Sequence, residues 1–192
     1  QAFWTQQEAR PYRELLRDTL AWAAPAAGDR WLDLGCGGGA LTRGLWAASG
    51  GTVAAVLGVD CAAANAAAYD RLRAALTPSP GDRVGFRRLD FSGGLGPLPT
   101  AGFDHAVSGL SISYAEHYDP AAGRWTAAAY DRLLADVRRV VRPGGRFVFS
   151  VNVPDPSWLA VAAKLTAAGW AGVRHRVSYA GQAFVFQAHN PG

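Results

Sequence analysis

Two aspartates and a run of glycines carry the first chemistry in this chain. The stretch Asp33-Leu34-Gly35-Cys36-Gly37-Gly38-Gly39 closes one short apolar run and opens a helix-periodic one. Glycines at such a junction let the backbone adopt positive φ and approach a ligand closely, while the first N–H groups of the following helix have no intrahelical partner. Asp60 ends the next apolar run, 25 residues after Gly35. A carboxylate there can accept from both hydroxyls of a ribose lying across the C-terminal edge of a sheet. A glycine turn followed by an acidic strand end points to a nucleoside ligand.

Two ligand classes share this arrangement. Gly35, Gly37 and Ala40 also satisfy the Gly-x-Gly-x-x-Gly/Ala fingerprint of dinucleotide enzymes, so an NAD(P)-dependent Rossmann oxidoreductase is an alternative. Asp33 separates the two, because a fixed negative charge two residues before the first glycine repels a pyrophosphate and suits the ammonium group of an amino acid. Further along, Tyr114, Glu116 and His117 are the candidates for contacting or deprotonating a substrate, with Tyr114 favoured for contact. His117 also fits a solvated loop histidine, and Asp90 a simple turn cap. Phe3 and Trp4 fit either a cover over the ligand or packing against the first helix.

The elements that must position these residues follow from periodicity. Residues 8–24 form an amphipathic helix, 30–34 a short strand, 41–48 a helix and 52–59 a buried strand. Residues 62–76 form an Ala-rich helix, 84–89 and 103–108 strands, and 126–141 a helix stopped by Arg142-Pro143-Gly144-Gly145. A β-branched and aromatic strand follows at 146–153, then a helix at 159–168. Alternating strands and helices require crossover connections and a largely parallel sheet covered on both faces. The last two runs, 173–179 and 183–189, are separated by only three residues and must pair antiparallel. The expected fold is α/β, Rossmann-like and doubly wound, with a mostly parallel seven-stranded sheet and a C-terminal antiparallel hairpin.

Bulk composition sets outer bounds. A chain of 192 residues, half apolar and with seven Trp, encloses one core, so residues 1–192 are expected to form one domain with a helical segment at 1–27 over the ligand side. No apolar run reaches the ~20 residues of a membrane span. Cys36 and Cys61 are too few and too isolated for a disulfide framework or a Cys-rich zinc site, which makes a reducing cytoplasm the simplest compartment. The net charge is +4, but the arginines are scattered, so no dedicated nucleic-acid site and no metal site is expected.

With these residues in hand, Trp31 to Thr42 (WLDLGCGGGALT) resembles motif I of the class I S-adenosylmethionine-dependent methyltransferases. Further matches follow in family order: Gly58-Val59-Asp60 resembles the ribose-binding strand end, Arg88-Leu89-Asp90-Phe91 the adenine-binding turn, and FDHAVSGLSISY at 103–114 the fourth strand with its loop. Arg142-Pro143-Gly144-Gly145-Arg146 is similar to the turn before the fifth strand in the ubiquinone/menaquinone-biosynthesis-like branch (methyltransferase type 11). The resemblance implies S-adenosyl-L-methionine as cofactor and S-adenosyl-L-homocysteine as product. It implies that the backbone of Gly35, Cys36, Gly37 and Gly39 holds the methionine part, with Asp33 supporting the loop or the ammonium. Asp60 would take the ribose hydroxyls, Cys61 would pack on the adenine, Asp90 would accept from its amino group beside Phe91, and Ser108 and Gly109 would lie near the sulfonium.

The implied activity is methyl transfer to a small-molecule or lipid-like acceptor by direct in-line displacement, from a monomer or homodimer. Two departures from the family stand out. Ser113 occupies a position where members often carry His, and only residues 154–158 separate the fifth strand from the last helix. A catalytically silent binding protein of the same fold is the alternative these departures raise.

Overall fold

Alternation along the central strands decides which helices cover which face of the sheet. The structure is a computed structural model and describes residues 10–115, 117–119, 124–126, 128–152, 158–178 and 181–192. In chain order the elements are α1 (Arg10–Ala23), β1 (Arg30–Leu34), α2 (Ala40–Ala48), β2 (Ala55–Asp60), α3 (Asn65–Ala75), β3 (Val84–Arg88) and β4 (Phe103–Gly109). Then come β5 (His117–Asp119), β6 (Arg124–Thr126), α4 (Ala128–Val140), β7 (Val141–Val151), α5 (Trp158–Ala167), β8 (Ala171–Ser178) and β9 (Ala183–His189).

The main sheet has seven strands in the order β3-β2-β1-β4-β7-β9-β8. Its pairings from β3 through β7 are parallel, whereas β9 runs antiparallel to both β7 and β8. Leu32, Leu34, Phe147, Phe149, Phe184 and Phe186 point to one face, where they pack with Leu133, Leu134 and Val137 of α4 and with Leu165 of α5. Trp31, Val107, Val148 and Val185 point to the other and meet Leu15 of α1, Leu45 and Trp46 of α2, and Tyr69 and Leu72 of α3. Strands covered on both faces need apolar side chains in both phases of the pleat, which is why they read as near-continuous apolar runs.

Helix α1 is fixed to the sheet by polar contacts as well as apolar ones. The buried Asp18 accepts a hydrogen bond from Ser178 Oγ at 2.8 Å, Gln187 Nε2 donates to the Trp22 carbonyl at 3.0 Å, and Arg146 donates to the Ala24 carbonyl at 3.0 Å. Leu20 of α1 fills the space that a side chain at Gly44 of α2 would need. These contacts carry Tyr12, Leu15 and Leu16 to the C-terminal edge of β1 and β4.

The expected α/β sheet with its terminal hairpin is present, with three local differences. β2 begins at Ala55 because the preceding residues turn back on β1, with Ala54 N donating to Asp29 O and Gly28 N to Thr52 O. The helix ending before Pro143 stops at Val140, and β7 starts at once, because Val141 already pairs with Phe103. The pairing then skips from Phe103–Val141 to His105–Arg146, so residues 142–145 bulge out of the ladder rather than forming a separate turn. The two-stranded ribbon β5–β6 was not expected, since its strands of three residues each are too short to show a period.

Gly145 sits where the bulge closes on β4. A Cβ there would run into the backbone oxygen of Asp104 and the Val141 side chain, and lies 2.8 Å from the Arg142 oxygen. Backbone atoms cannot turn aside as a side chain can. Gly145→Ala is therefore expected to cost roughly 1–3 kcal/mol of stability, read by urea denaturation at neutral pH. A stability equal to that of the parent would show that the bulge is not constrained as described.

Candidate functional site

The glycine turn lies at the C-terminal edge of β1, between β2 and β4. Gly35 N and Cys36 N donate to Val59 O at 2.8 and 3.1 Å, so the turn is laced to the end of β2. Gly35, Gly37 and Gly39 have φ of 63°, 50° and 82°, the left-handed region that favours glycine. At Gly35 the need is also steric, because a Cβ would enter the Ser111 side chain and lie 3.3 Å from the Phe91 ring.

Asp33 takes the place of a core residue. It follows Leu32 on β1, is 0% exposed, and faces the same side of the sheet as Trp31. Its Oδ2 accepts from Thr42 N at 3.1 Å and Thr42 Oγ1 at 2.8 Å, and thereby holds the first turn of α2. Its Oδ1 has no hydrogen-bond partner among the described residues. Burial pushes the carboxyl up to about 7, the negative charge of Asp60 adds to the rise, and the Thr42 bonds oppose it. Thr42 Oγ1 is also hydrogen-bonded to Tyr69 OH at 2.7 Å.

Asp60 braces two loops at once. Oδ2 accepts from Gly37 N at 3.0 Å and Oδ1 from Ala62 N at 2.9 Å. Each carboxylate oxygen has a second lone pair, so these bonds leave acceptor capacity for hydroxyl donors from a ligand. Asp90 caps the turn at Phe91–Gly93, with Oδ1 accepting from Ser92 N at 3.0 Å and Ser92 Oγ at 2.7 Å. Those two bonds hold its carboxyl below the usual range.

Two adjoining cavities open along this edge. The larger, about 1060 Å³, is lined by the glycine turn, Asp60, Cys61, Asp90, Phe91 and Gly109. The smaller, about 130 Å³, lies between α1 and the turn and is walled by Asp33, Cys36, Gly35, Gly37, Gly109 and apolar residues of α1 and α2. Most of the residues named from sequence thus converge. Cys36 is buried, and that burial together with the negative charge of Asp33 holds its thiol in the protonated form, whereas Cys61 is exposed. Gly39 does not line either cavity; it is the residue before α2, packed against Tyr69 and Leu72.

Ser108, expected near the sulfonium, lines neither cavity. It is fully buried, and its Oγ donates to Leu34 O at 2.9 Å and meets Ser111 Oγ at 2.7 Å, behind the glycine turn. Ser111 is the serine that lines the larger cavity. The backbone of Tyr114 lies on the short turn Ile112–Ala115 and that of His117 on β5. The side chains of Tyr114, His117, Trp125 and Trp158, and the whole of Phe3, Trp4, Glu116 and Tyr179, lie outside the described residues.

Sequence reasoning missed Tyr12, Asn65 and Asn152 as cleft residues, whereas Ser111 and Ser113 belong to the loop at 103–114 that the resemblance placed there. Tyr12 sits at helical spacing among apolar residues and has the pattern of a core position. Asn65 carried a signal, a polar side chain that is buried in the first turn of an otherwise Ala-rich helix. Leu110, which lines both cavities, has φ of 58°, a strained backbone that no sequence pattern announces.

Asp33 makes the stability of the ligand-free fold depend on pH with a definite sign. Its folded value, about 7, lies above the ordinary 3.8, so its protonated form is favoured by folding; the contribution is complete below about pH 4 and lost as pH rises through 7. The span corresponds to on the order of 4 kcal/mol. Asp33→Asn cannot ionise, so its stability relative to the parent should improve steadily between these limits in paired denaturation curves. Parallel curves at all pH values would contradict the burial described.

A family model for the methyltransferase domain matches residues 32–149. No curated protein matches the sequence. Among solved structures, a chain from the Haloferax volcanii complex containing the Trm112 methyltransferase activator superposes with a TM-score of 0.74 at 18% identity, covering 97% of this chain and 92% of that one. An S-adenosylmethionine-dependent methyltransferase from Mesorhizobium loti gives 0.65 at 23% identity, covering 91% and 95%. One from Aquifex aeolicus gives 0.69 at 17% identity, covering 91% and 89%. The antiparallel β9, inserted between β7 and β8, departs from the 3-2-1-4-5-6 strand order of dinucleotide-binding sheets. Motif, strand order and family match agree, and the chain belongs to the methyltransferase domain family, as a class I S-adenosylmethionine-dependent methyltransferase.

Proposed function

We propose that this enzyme, a single catalytic domain acting in the cytoplasm as a monomer or homodimer, transfers the methyl group of S-adenosylmethionine to a small-molecule or lipid-like acceptor. The observation that carries the reading is the division of the larger cavity. Asp60 and Asp90 lie toward the β2 and β3 side, while Ser113, Asn152, Leu110 and Gly109, which are neutral, lie toward β4 and β7. Its volume of about 1060 Å³ is at the top of the range for small-molecule sites, which supports a nucleoside and an acceptor side by side.

The residues present fit the cofactor. Asp33 offers a buried carboxylate oxygen that has no partner among the described residues, and the glycine turn offers close backbone approach beside it. When bound, S-adenosylmethionine supplies a methyl group already activated by its sulfonium, for direct in-line displacement by the acceptor. The chain's own residues bind and orient. Asp60 accepts from the ribose hydroxyls while keeping the Gly37 and Ala62 amides in place. Asp90 accepts from the adenine amino group, and Phe91, packed against Gly35, supplies an apolar wall with Cys61 at the rim.

Holding two reactants in line is worth roughly 7–11 kcal/mol of a bimolecular barrier. No charged side chain among the described residues lines the β4–β7 end of the cavity. Tyr114 and His117 are assigned to the acceptor side, Tyr114 for contact and His117 for removing a proton where the acceptor is a hydroxyl or a protonated amine.

Calorimetry with S-adenosylhomocysteine tests the nucleoside site. The parent should bind, and Asp60→Ala should weaken binding by roughly 10- to 100-fold, as expected for loss of charge-assisted hydrogen bonds. Equal affinity in a folded Asp60→Ala sample would defeat the assignment. A screen of phenolic, carboxylic and amine acceptors with radiolabelled methyl donor then tests the substrate class, and transfer confined to protein or RNA would refute it.

A further inference from the structure

A buried tyrosine stands behind the glycine turn, outside both cavities. Tyr69 of α3 is 1% exposed, and its hydroxyl meets Thr42 Oγ1 at 2.7 Å. Thr42 Oγ1 in turn lies 2.8 Å from Asp33 Oδ2. A Cβ at Gly58 would run into the Tyr69 hydroxyl, and a Cβ at Gly39 would lie 3.2 Å from its ring. Two glycines, one on β2 and one before α2, therefore leave room for this side chain to reach Thr42.

The direction of the chain of hydrogen bonds follows from proton counting. Ionised Asp33 can only accept, so the single proton of the Thr42 hydroxyl points to Asp33 and the Tyr69 hydroxyl must donate to Thr42. Without that donor, a threonine hydroxyl in the first turn of a helix can turn to nearby backbone acceptors instead. We propose that Tyr69 is a positioning residue for the cofactor: by donating to Thr42 it keeps the Thr42 proton on Asp33, and so holds the Asp33 carboxylate ready to pair with the cationic amino-acid end of the ligand. The proposal rests on the function given above.

The groups around Asp33 make its charge costly and the support useful. Asp60 faces it from the end of β2, Cys36 from the glycine turn and Tyr69 from α3, with Tyr12 and Thr19 of α1, Ser150 of β7 and Gly109 of β4 around the smaller cavity. None of these is a cation. Burial holds Asp33 up to about 7, so its charged form is only part of the population at neutral pH in the absence of ligand. Affinity for a ligand bearing an ammonium group should rise with pH through that value, and loss of the Tyr69 hydroxyl should move the rise to higher pH.

The test is calorimetric titration of S-adenosylhomocysteine, and of adenosine, which lacks the amino-acid end, from about pH 5.5 to about pH 8. Tyr69→Phe keeps the ring and removes the hydroxyl. It should weaken S-adenosylhomocysteine binding by about three- to tenfold near neutral pH, with the deficit shrinking as pH rises, and leave adenosine affinity unchanged. A Tyr69→Phe profile that overlays the parent's overturns the proposal, as does an equal loss for both ligands at every pH, which would mark a merely structural role. If Tyr69→Phe does not fold, Thr42→Val against Thr42→Ser reads the same link: Ser should restore the parent's profile and Val should not, and identical profiles overturn it. Failure of the parent to bind S-adenosylhomocysteine at any pH would instead defeat the nucleoside reading itself.

Discussion

A carboxylate buried without a cation is the constraint around which this end of the molecule is organised. Asp33 occupies a strand position whose neighbours are Trp31, Leu32 and Leu34, all fully buried, and among the described residues it is satisfied on one oxygen only, by the amide and hydroxyl of Thr42. Leaving a buried acceptor half satisfied costs stability, and a charged one costs more. Replacing Asp33 by an apolar residue would relieve that cost but release the first turn of α2. The site accepts a local instability, and the covered sheet on either side supplies the apolar burial that offsets it.

From that point the rest of the cleft follows by contact. With the start of α2 held by Asp33, the glycine turn is left to span the gap to β2, where Val59 O receives two of its amides and Asp60 a third. The turn must approach β4 closely enough to touch Ser111, which accounts for glycine at position 35. Ser108 and Ser111 both donate to the Leu34 carbonyl, so the last residue of β1 is fixed from the β4 side as well. One strand end is thus held by its own helix, by β2 and by β4. The wall that results is built from backbone amides and carbonyls held by the side chains of Asp33, Asp60, Ser108 and Ser111.

The fold was legible because its signals were local and repeated. Apolar runs of the right length, a stop at Pro143-Gly144 and a short link before the last strand fixed the strand count and the antiparallel closure. The bulge at 142–145 was not legible, since it depends on Val141 finding Phe103, a partner distant in sequence. At the site, Asp33, the glycines and Asp60 announced themselves because charge and glycine are unusual inside an apolar pattern. Tyr12 and Tyr69 did not, because an aromatic at helical spacing looks the same whether it packs in a core or serves a cleft. The place of Ser108 at the end of β4 was visible, but that its buried hydroxyl turns to the Leu34 carbonyl while Ser111 lines the cleft depends on a partner distant in sequence.

The electrostatic character of the cleft explains why a fingerprint shared with dinucleotide enzymes serves a different ligand here. Asp33, Asp60 and Asp90 are all carboxylates, and among the described residues no arginine, lysine or histidine lines either cavity. Arg88, at the end of the neighbouring strand, is engaged by the Cys61 carbonyl at 3.2 Å. A pyrophosphate laid on the glycine turn would meet an N-terminal helix dipole that attracts it and a buried carboxylate that repels it. In a low-dielectric wall the charge of Asp33, where ionised, outweighs the half charge of the dipole. The same arrangement favours a ligand that brings its own positive charge to the turn, because that charge would supply the partner that Asp33 Oδ1 lacks among the described residues. Strand order and charge therefore select in the same direction, by independent routes.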